Sequence, residues 1–114
     1  MNPLGITDKS YQHLINAIVN YPEIEQVLVF GSRAKGNYKN GSDVDLAIKG
    51  RHCNDTIALN LSAVLNEQLP VPYKFDVVFY EGIEQTSLRE HIDCVGKIFY
   101  QQDSEVVLNE AVGD

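Results

Sequence analysis

Asp43 and Asp45 lie in the stretch Asp43-Val44-Asp45-Leu46-Ala47-Ile48-Lys49, where Val44, Leu46 and Ile48 alternate with Asp43, Asp45 and Ala47. That alternation predicts a strand, with both carboxylates leaving one face and their Cα atoms roughly 7 Å apart. Carboxylates held this close repel each other, and a divalent cation relieves the repulsion. Hard oxygen ligands favour Mg²⁺ or Mn²⁺. Phosphoryl-transfer sites that use two ions hold them about 3.5–4 Å apart, a distance neighbouring carboxylates can bridge. Asp76 interrupts the apolar segment Tyr73–Tyr80. There Phe75, Val77 and Phe79 share one predicted face, and Lys74, Asp76, Val78 and Tyr80 share the other. If this strand lies beside the first, Asp76 completes the cluster. A calcium loop does not fit. Leu46-Ala47-Ile48 stands where such a loop needs glycine and further oxygen ligands, and no glutamate occupies its twelfth position.

Gly31-Ser32 supplies a second half-site. A glycine ending a buried strand lets a ligand approach the backbone closely. Ser32 is expected to cap the following turn, so that its hydroxyl and nearby N–H groups face an anion. Arg33 and Lys35 would add positive charge beside it. Each feature alone has a plain reading. An Asp-x-Asp can be a solvated strand end, Asp76 an exposed strand residue, and Gly31-Ser32 a strand-to-turn exit. Arg33, Lys35 and Lys39 alone read as a solvated loop, and Asn40-Gly41 as a turn. Their order and spacing together are what point to phosphoryl transfer.

These groups need a scaffold, and the rest of the chain predicts one. Thr7 or Asp8 can cap a first helix carrying Tyr11, Leu14, Ile15 and Ile18 at helical spacing, ended by Asn20-Tyr21-Pro22. Val27–Phe30 is too short and too β-branched for a helix and reads as a buried strand. The polar run from Ser32 to Ser42 reads as a functional loop that opens with one helical turn. Asn54 or Asp55 caps a second helix with Ile57, Leu61, Val64, Leu65 and Leu69 on one stripe, broken by Pro70 and Pro72. A third helix is expected from about Glu84 to Cys94, ended by Gly96, and Lys97–Tyr100 reads as a short edge strand. The order of elements predicts an α/β (α+β) fold: a mixed β-sheet with helices packed on one side.

With 114 residues the chain has room for one domain and one modest core. Residues 103–114 form an acidic tail expected to be mobile, although Val106, Val107 and Leu108 could dock. A formal net charge of -7 disfavours long RNA or DNA as a partner. No apolar run approaches a membrane span, and no basic-then-apolar leader opens the chain, so a cytoplasmic setting is expected. Cys53 and Cys94 are then reduced thiols. With His52 and His91 they match no usual zinc spacing. His13 reads as a helix-surface or core-edge residue.

Gly31-Ser32, ten intervening residues and Asp43-Val44-Asp45 together resemble the signature of the polymerase-β-like nucleotidyltransferases. The longer string GSRAKGNYKNGSDVDLAI resembles their small stand-alone members, the minimal nucleotidyltransferases, over roughly residues 10 to 100. The resemblance implies that Asp43 and Asp45 bind both metals. Asp76 would bind the catalytic ion and help activate the acceptor hydroxyl, and Gly31 and Ser32 would hold the β- and γ-phosphates. It implies in-line attack of a hydroxyl on the α-phosphate of ATP or another nucleoside triphosphate, releasing pyrophosphate. Larger relatives carry extra domains for the base and the acceptor, and this chain has no room for them. A partner is therefore expected to supply the acceptor half. In the minimal family that partner is a helical HEPN-class protein, typically encoded next door. The pair resembles a toxin–antitoxin module in which AMP transfer to a toxin tyrosine silences the toxin. The competing reading is a nucleotide-binding subunit that neutralises its partner with little turnover. A homodimer alone, or a hetero-oligomer with the partner, is the expected assembly.

Overall fold

The computed structural model describes residues 2–39 and 41–102. Asn40 and the acidic tail lie outside the described residues.

Helix α1, Asp8–Ile18, starts where the Thr7 hydroxyl accepts the Ser10 N–H at 3.2 Å, which identifies Thr7 as the cap. It buries Leu14, Ala17 and Ile18. Strand β1, Gln26–Phe30, runs directly into the short helix α2, Gly31–Lys35. Strand β2 is Val44–Lys49. Helix α3, Asp55–Glu67, is capped by Asn54, whose side chain accepts the Ile57 N–H at 2.9 Å. Strand β3, Phe75–Phe79, passes into a 3-10 turn at Tyr80–Gly82, then helix α4, Thr86–Val95, and strand β4, Lys97–Gln101. Among the described residues no helix is long and apolar enough to cross a membrane.

The four strands form one mixed sheet in the order β3-β2-β1-β4. β1 pairs antiparallel with β2 and β4, whereas β2 and β3 run parallel, joined by the α3 crossover. Parallel neighbours need such a crossover because a hairpin cannot join them. Val27, Val29, Val44, Leu46, Ile48 and Phe75 face α1 and α3 and form the main core with Leu14, Ile18, Leu61 and Leu65. Burying each Leu or Ile contributes about 1.5–3 kcal/mol. The two central strands are thereby fixed, and so are the side chains they send to the opposite face.

The mixed sheet agrees with the sequence reading, but the layering is richer than expected. α1 and α3 share one side, while α4 crosses to the other, where Ile92 packs with Phe30 and Ala47. That second face alternates acids with Ala47, Val78 and Phe30, and these apolar positions need a cover. Gly96 ends α4 as predicted, but in extended backbone (φ -63, ψ 143) rather than the left-handed cap that glycine usually supplies. Its lack of a side chain answers crowding instead: a Cβ there would press on the Ile92 carbonyl and stand 3.2 Å from Leu28 Cδ2.

Candidate active site

The face shared with α4 gathers the acids. Asp45 is paired across the β2–β3 ladder with Asp76, and on its other side with Phe30, the last residue of β1. Asp43 precedes β2 by one residue and is exposed, as is Asp76; Asp45 is half-buried between them. Burial, reinforced by the negative charges of Asp76 and Asp43, holds the Asp45 carboxyl above its ordinary pKa, with His91 pulling the other way. The His91 ring stands edge-on to Phe30, with centroids 6.0 Å apart and planes at 80°.

Gly31 abuts this cluster. Its φ of +73° lies in the left-handed region. A Cβ there would overlap Asp45 Oδ2 and stand 3.2 Å from Asp45 Cγ. Glycine is therefore required twice, by backbone conformation and by the close approach of the carboxylate.

Ser32 differs from expectation. The cap position of α2 falls on Phe30, which makes no side-chain cap bond, so Ser32 lies inside the first turn and does not cap it. Its side chain is half-buried. The N–H groups of this first turn have no intrahelical acceptor.

Arg33 is the larger departure. It was expected beside the phosphates, yet it is 3% exposed. Its Nη1 donates to the Leu4 carbonyl at 3.0 Å and the Gly5 carbonyl at 3.4 Å. Its Nε and Nη2 donate to the Ser42 carbonyl at 3.2 and 3.0 Å. The guanidinium also lies 4.6 Å from the Tyr38 ring centre and 5.3 Å from that of Tyr73. Those carbonyls and rings hold the cation, so Arg33 is a clamp on the loop just ahead of Asp43 rather than a phosphate ligand. Lys35 is exposed at the end of α2.

Other cations share the acid face. Lys49 continues the Asp43, Asp45, Ala47 register, and its Nζ lies 4.2 Å from the Tyr80 ring centre. Arg89 of α4 lies 4.9 Å from the same ring, and the Tyr80 hydroxyl donates to Asp93. The strand alternation could have flagged Lys49. His91 and Arg89 carry no comparable signal, since only the crossing of α4 to this face brings them near. Of the two free cysteines, Cys53 is buried and Cys94 exposed.

Comparison with known proteins gives this arrangement a context. A search of curated protein sequences finds no match. Solved structures match in fold. A toxin–antitoxin complex with AMP-PNP superposes at a TM-score of 0.65 and 20% identity, over 90% of this chain and 80% of that one. The MntA–HepT toxin–antitoxin complex gives 0.61 and 18%, over 90% and 79%. A Shewanella oneidensis tri-AMPylated HEPN toxin in complex with its MNT antitoxin gives 0.57 and 18%, over 87% and 78%. The family model described as "Polymerase beta, Nucleotidyltransferase" matches residues 12–105. That match spans most of the sequence, and the chain accordingly belongs to the polymerase β nucleotidyltransferase family.

Proposed function

We propose that this chain transfers a nucleoside monophosphate, AMP from ATP, to a hydroxyl of a helical HEPN-type toxin and so acts as that toxin's antitoxin. The observation carrying the reading is the register pairing of Asp45 with Asp76, with Gly31 seated against Asp45. Complexes of toxin with antitoxin, one with AMP-PNP and one with an AMPylated toxin, share the fold and support the choice of donor and partner.

The donor set suits a hard divalent ion. It is all carboxylate; burial first, and then the charges of Asp76 and Asp43, raise the Asp45 pKa, and a cation would relieve the repulsion among the three. Among the described residues no three acidic, imidazole or thiol side chains form a ready-made cage. Mg²⁺ commonly takes one or two carboxylates and completes its shell with water and substrate phosphate oxygens, which an open row permits. Asp43, Asp45 and Asp76 would hold Mg²⁺ or Mn²⁺, two ions in all, supplying charge stabilisation to the attacking and leaving oxygens. Gly31 lets the triphosphate approach the backbone, and the first-turn N–H groups of α2 with Ser32 hold its β- and γ-phosphates. Lys35 adds cationic charge beside them. Asp76, exposed on the edge strand, accepts the proton of the acceptor hydroxyl as its oxygen bonds to the α-phosphorus and the bond to pyrophosphate breaks.

The test uses α-labelled ATP, Mg²⁺, the full chain and a HEPN-type partner encoded beside it. Label should appear on a partner tyrosine and vanish with Asp45→Asn or Asp76→Asn. A stable complex that never becomes labelled would favour a neutralising subunit without turnover.

A further inference from the structure

We infer that the outer edge of β3 is a docking site for an extended, basic segment of a partner protein, which joins the sheet as a fifth strand beside Asp76.

β3 is an edge strand. In a parallel pair, one residue in two turns both its N–H and its C=O toward the neighbour. The Lys74 carbonyl accepts from Val44 N–H of β2 at 2.8 Å, so Asp76 and Val78 also turn inward, while Phe75, Val77 and Phe79 turn outward. Phe75 is already satisfied. Its N–H donates to Asn66 Oδ1 at 2.8 Å, and its carbonyl accepts from Asn66 Nδ2 at 2.9 Å, as a neighbouring strand would bond it. Past that point, the outward N–H and C=O of Val77 and the N–H of Phe79 have no hydrogen-bond partner among the described residues, while the Phe79 carbonyl opens the 3-10 turn.

Those two residues line a groove of about 490 Å³. Ala58 and Leu59 of α3 form one wall and Ile83 and Leu88 the other. Leu59 is 71% exposed, the most exposed large hydrophobic side chain among the described residues. An extended segment lying between the walls would send alternate side chains to each, which is how added strands are recognised. The charged residues lining the groove are Asp55 and Glu84, both acidic. A second copy would bring the same acids against them, and nucleic acid would be repelled, so the complementary occupant carries lysine or arginine.

The consequence for chemistry rests on the transfer reading. The residue of the added strand beside Asp76 has its Cα about 5 Å away and its side chain on the Asp76 face. A hydroxyl residue there would be presented to the acids.

The probe is a fluorescein-labelled six-residue peptide alternating valine with lysine around one tyrosine, added to the full chain with Mg²⁺ and ATP. Anisotropy should show binding, weakened about tenfold by Leu59→Ser and by Glu84→Lys, while ATP binding measured by calorimetry stays unchanged. Amide exchange at Val77 and Phe79 should slow on peptide binding. Absence of binding at about 1 mM, equal binding of a peptide methylated at alternate backbone nitrogens, or unchanged exchange at both amides would overturn the docking site. Docking with protected amides but no AMP on the tyrosine would overturn only the link to transfer. AMP transfer to a protein partner that is indifferent to Leu59→Ser and Glu84→Lys would overturn docking and leave transfer standing.

Discussion

Replacing Gly31 by alanine tests the close fit between the phosphate-side turn and the acid cluster. Two costs follow from the structure. At φ +73° an L-residue costs roughly 1–2 kcal/mol, less about 0.4–1 kcal/mol recovered by stiffening the unfolded chain. The second cost is spatial. The new methyl overlaps Asp45 Oδ2, and restoring van der Waals separation moves that oxygen by about 1 Å. A displacement of this size costs about 10²-fold in rate. Gly36 is the matched control, since φ is +82° there and nothing lies within 4 Å of a Cβ. Urea unfolding should therefore show Gly31→Ala losing more stability than Gly36→Ala, by about 1–2 kcal/mol. Labelled-ATP transfer should fall about 10²-fold in the first variant and stay within a few-fold in the second. Adding Asp45→Ala removes the overlapping oxygen, so in that background the two glycine substitutions should cost the same. Equal costs in the parent chain, or no coupling between positions 31 and 45, would refute the reasoning.

Other consequences are as direct. Asp45→Asn should abolish transfer yet stabilise the divalent-free protein at pH 7 by roughly 0.5–1 kcal/mol, a modest gain because the carboxyl is half-exposed and screened. Its pKa is raised in the folded state, so the penalty for ionising it is absent below the unfolded value near 4. The penalty grows as pH rises and is complete above the folded pKa. The gain should therefore vanish near pH 3 in urea titrations, and a less stable variant at pH 7 would contradict it. Arg33→Met should cost about 2–3 kcal/mol, because it strands the Ser42 and Leu4 carbonyls in the interior; melting within a few degrees of the parent would exclude a clamp. At pH 8 the aromatic disulfide DTNB should rapidly titrate one thiol per chain, Cys94, because burial pushes Cys53 up to about 11. Two fast thiols would show that Cys53 is accessible.

The strand-borne part of the site was legible because a period of two fixes the face of every residue. It put Asp43 and Asp45 together, and the same rule put Asp76 on the polar face of β3. That β3 would lie beside β2, parallel and in register at Asp45 and Asp76, depends on the α3 crossover and is not written in either strand. Arg33 shows the opposite limit. A cation in a basic loop looks the same whether it faces phosphate or folds inward, and its acceptors at Leu4 and Gly5 lie far away in sequence. The cap was misplaced by two positions, since a helix that starts at Gly31 moves it from Ser32 to Phe30. The crossing of α4 was hidden because Leu88, Ile92 and Val95 show that a face is buried but not which sheet face receives it.

The Arg33 clamp bears on how this sequence can vary. The guanidinium binds main-chain oxygens of Leu4, Gly5 and Ser42, groups that every residue type supplies. The bonds to Arg33 therefore place no restriction on side-chain identity at those three positions, while no other residue can replace the five-donor fork at 33. Gly5 is held separately, by a φ of +72° and by Tyr38 occupying the space of its missing Cβ. Leu4 also fills the core and the Ser42 hydroxyl also accepts the Lys39 N–H at 2.9 Å, so relatives that exchange residues 4 and 42 must meet packing and that turn, but not the clamp, to present Asp43 on the same path. Their kinship at the entrance to the catalytic strand would survive in backbone trace rather than in letters.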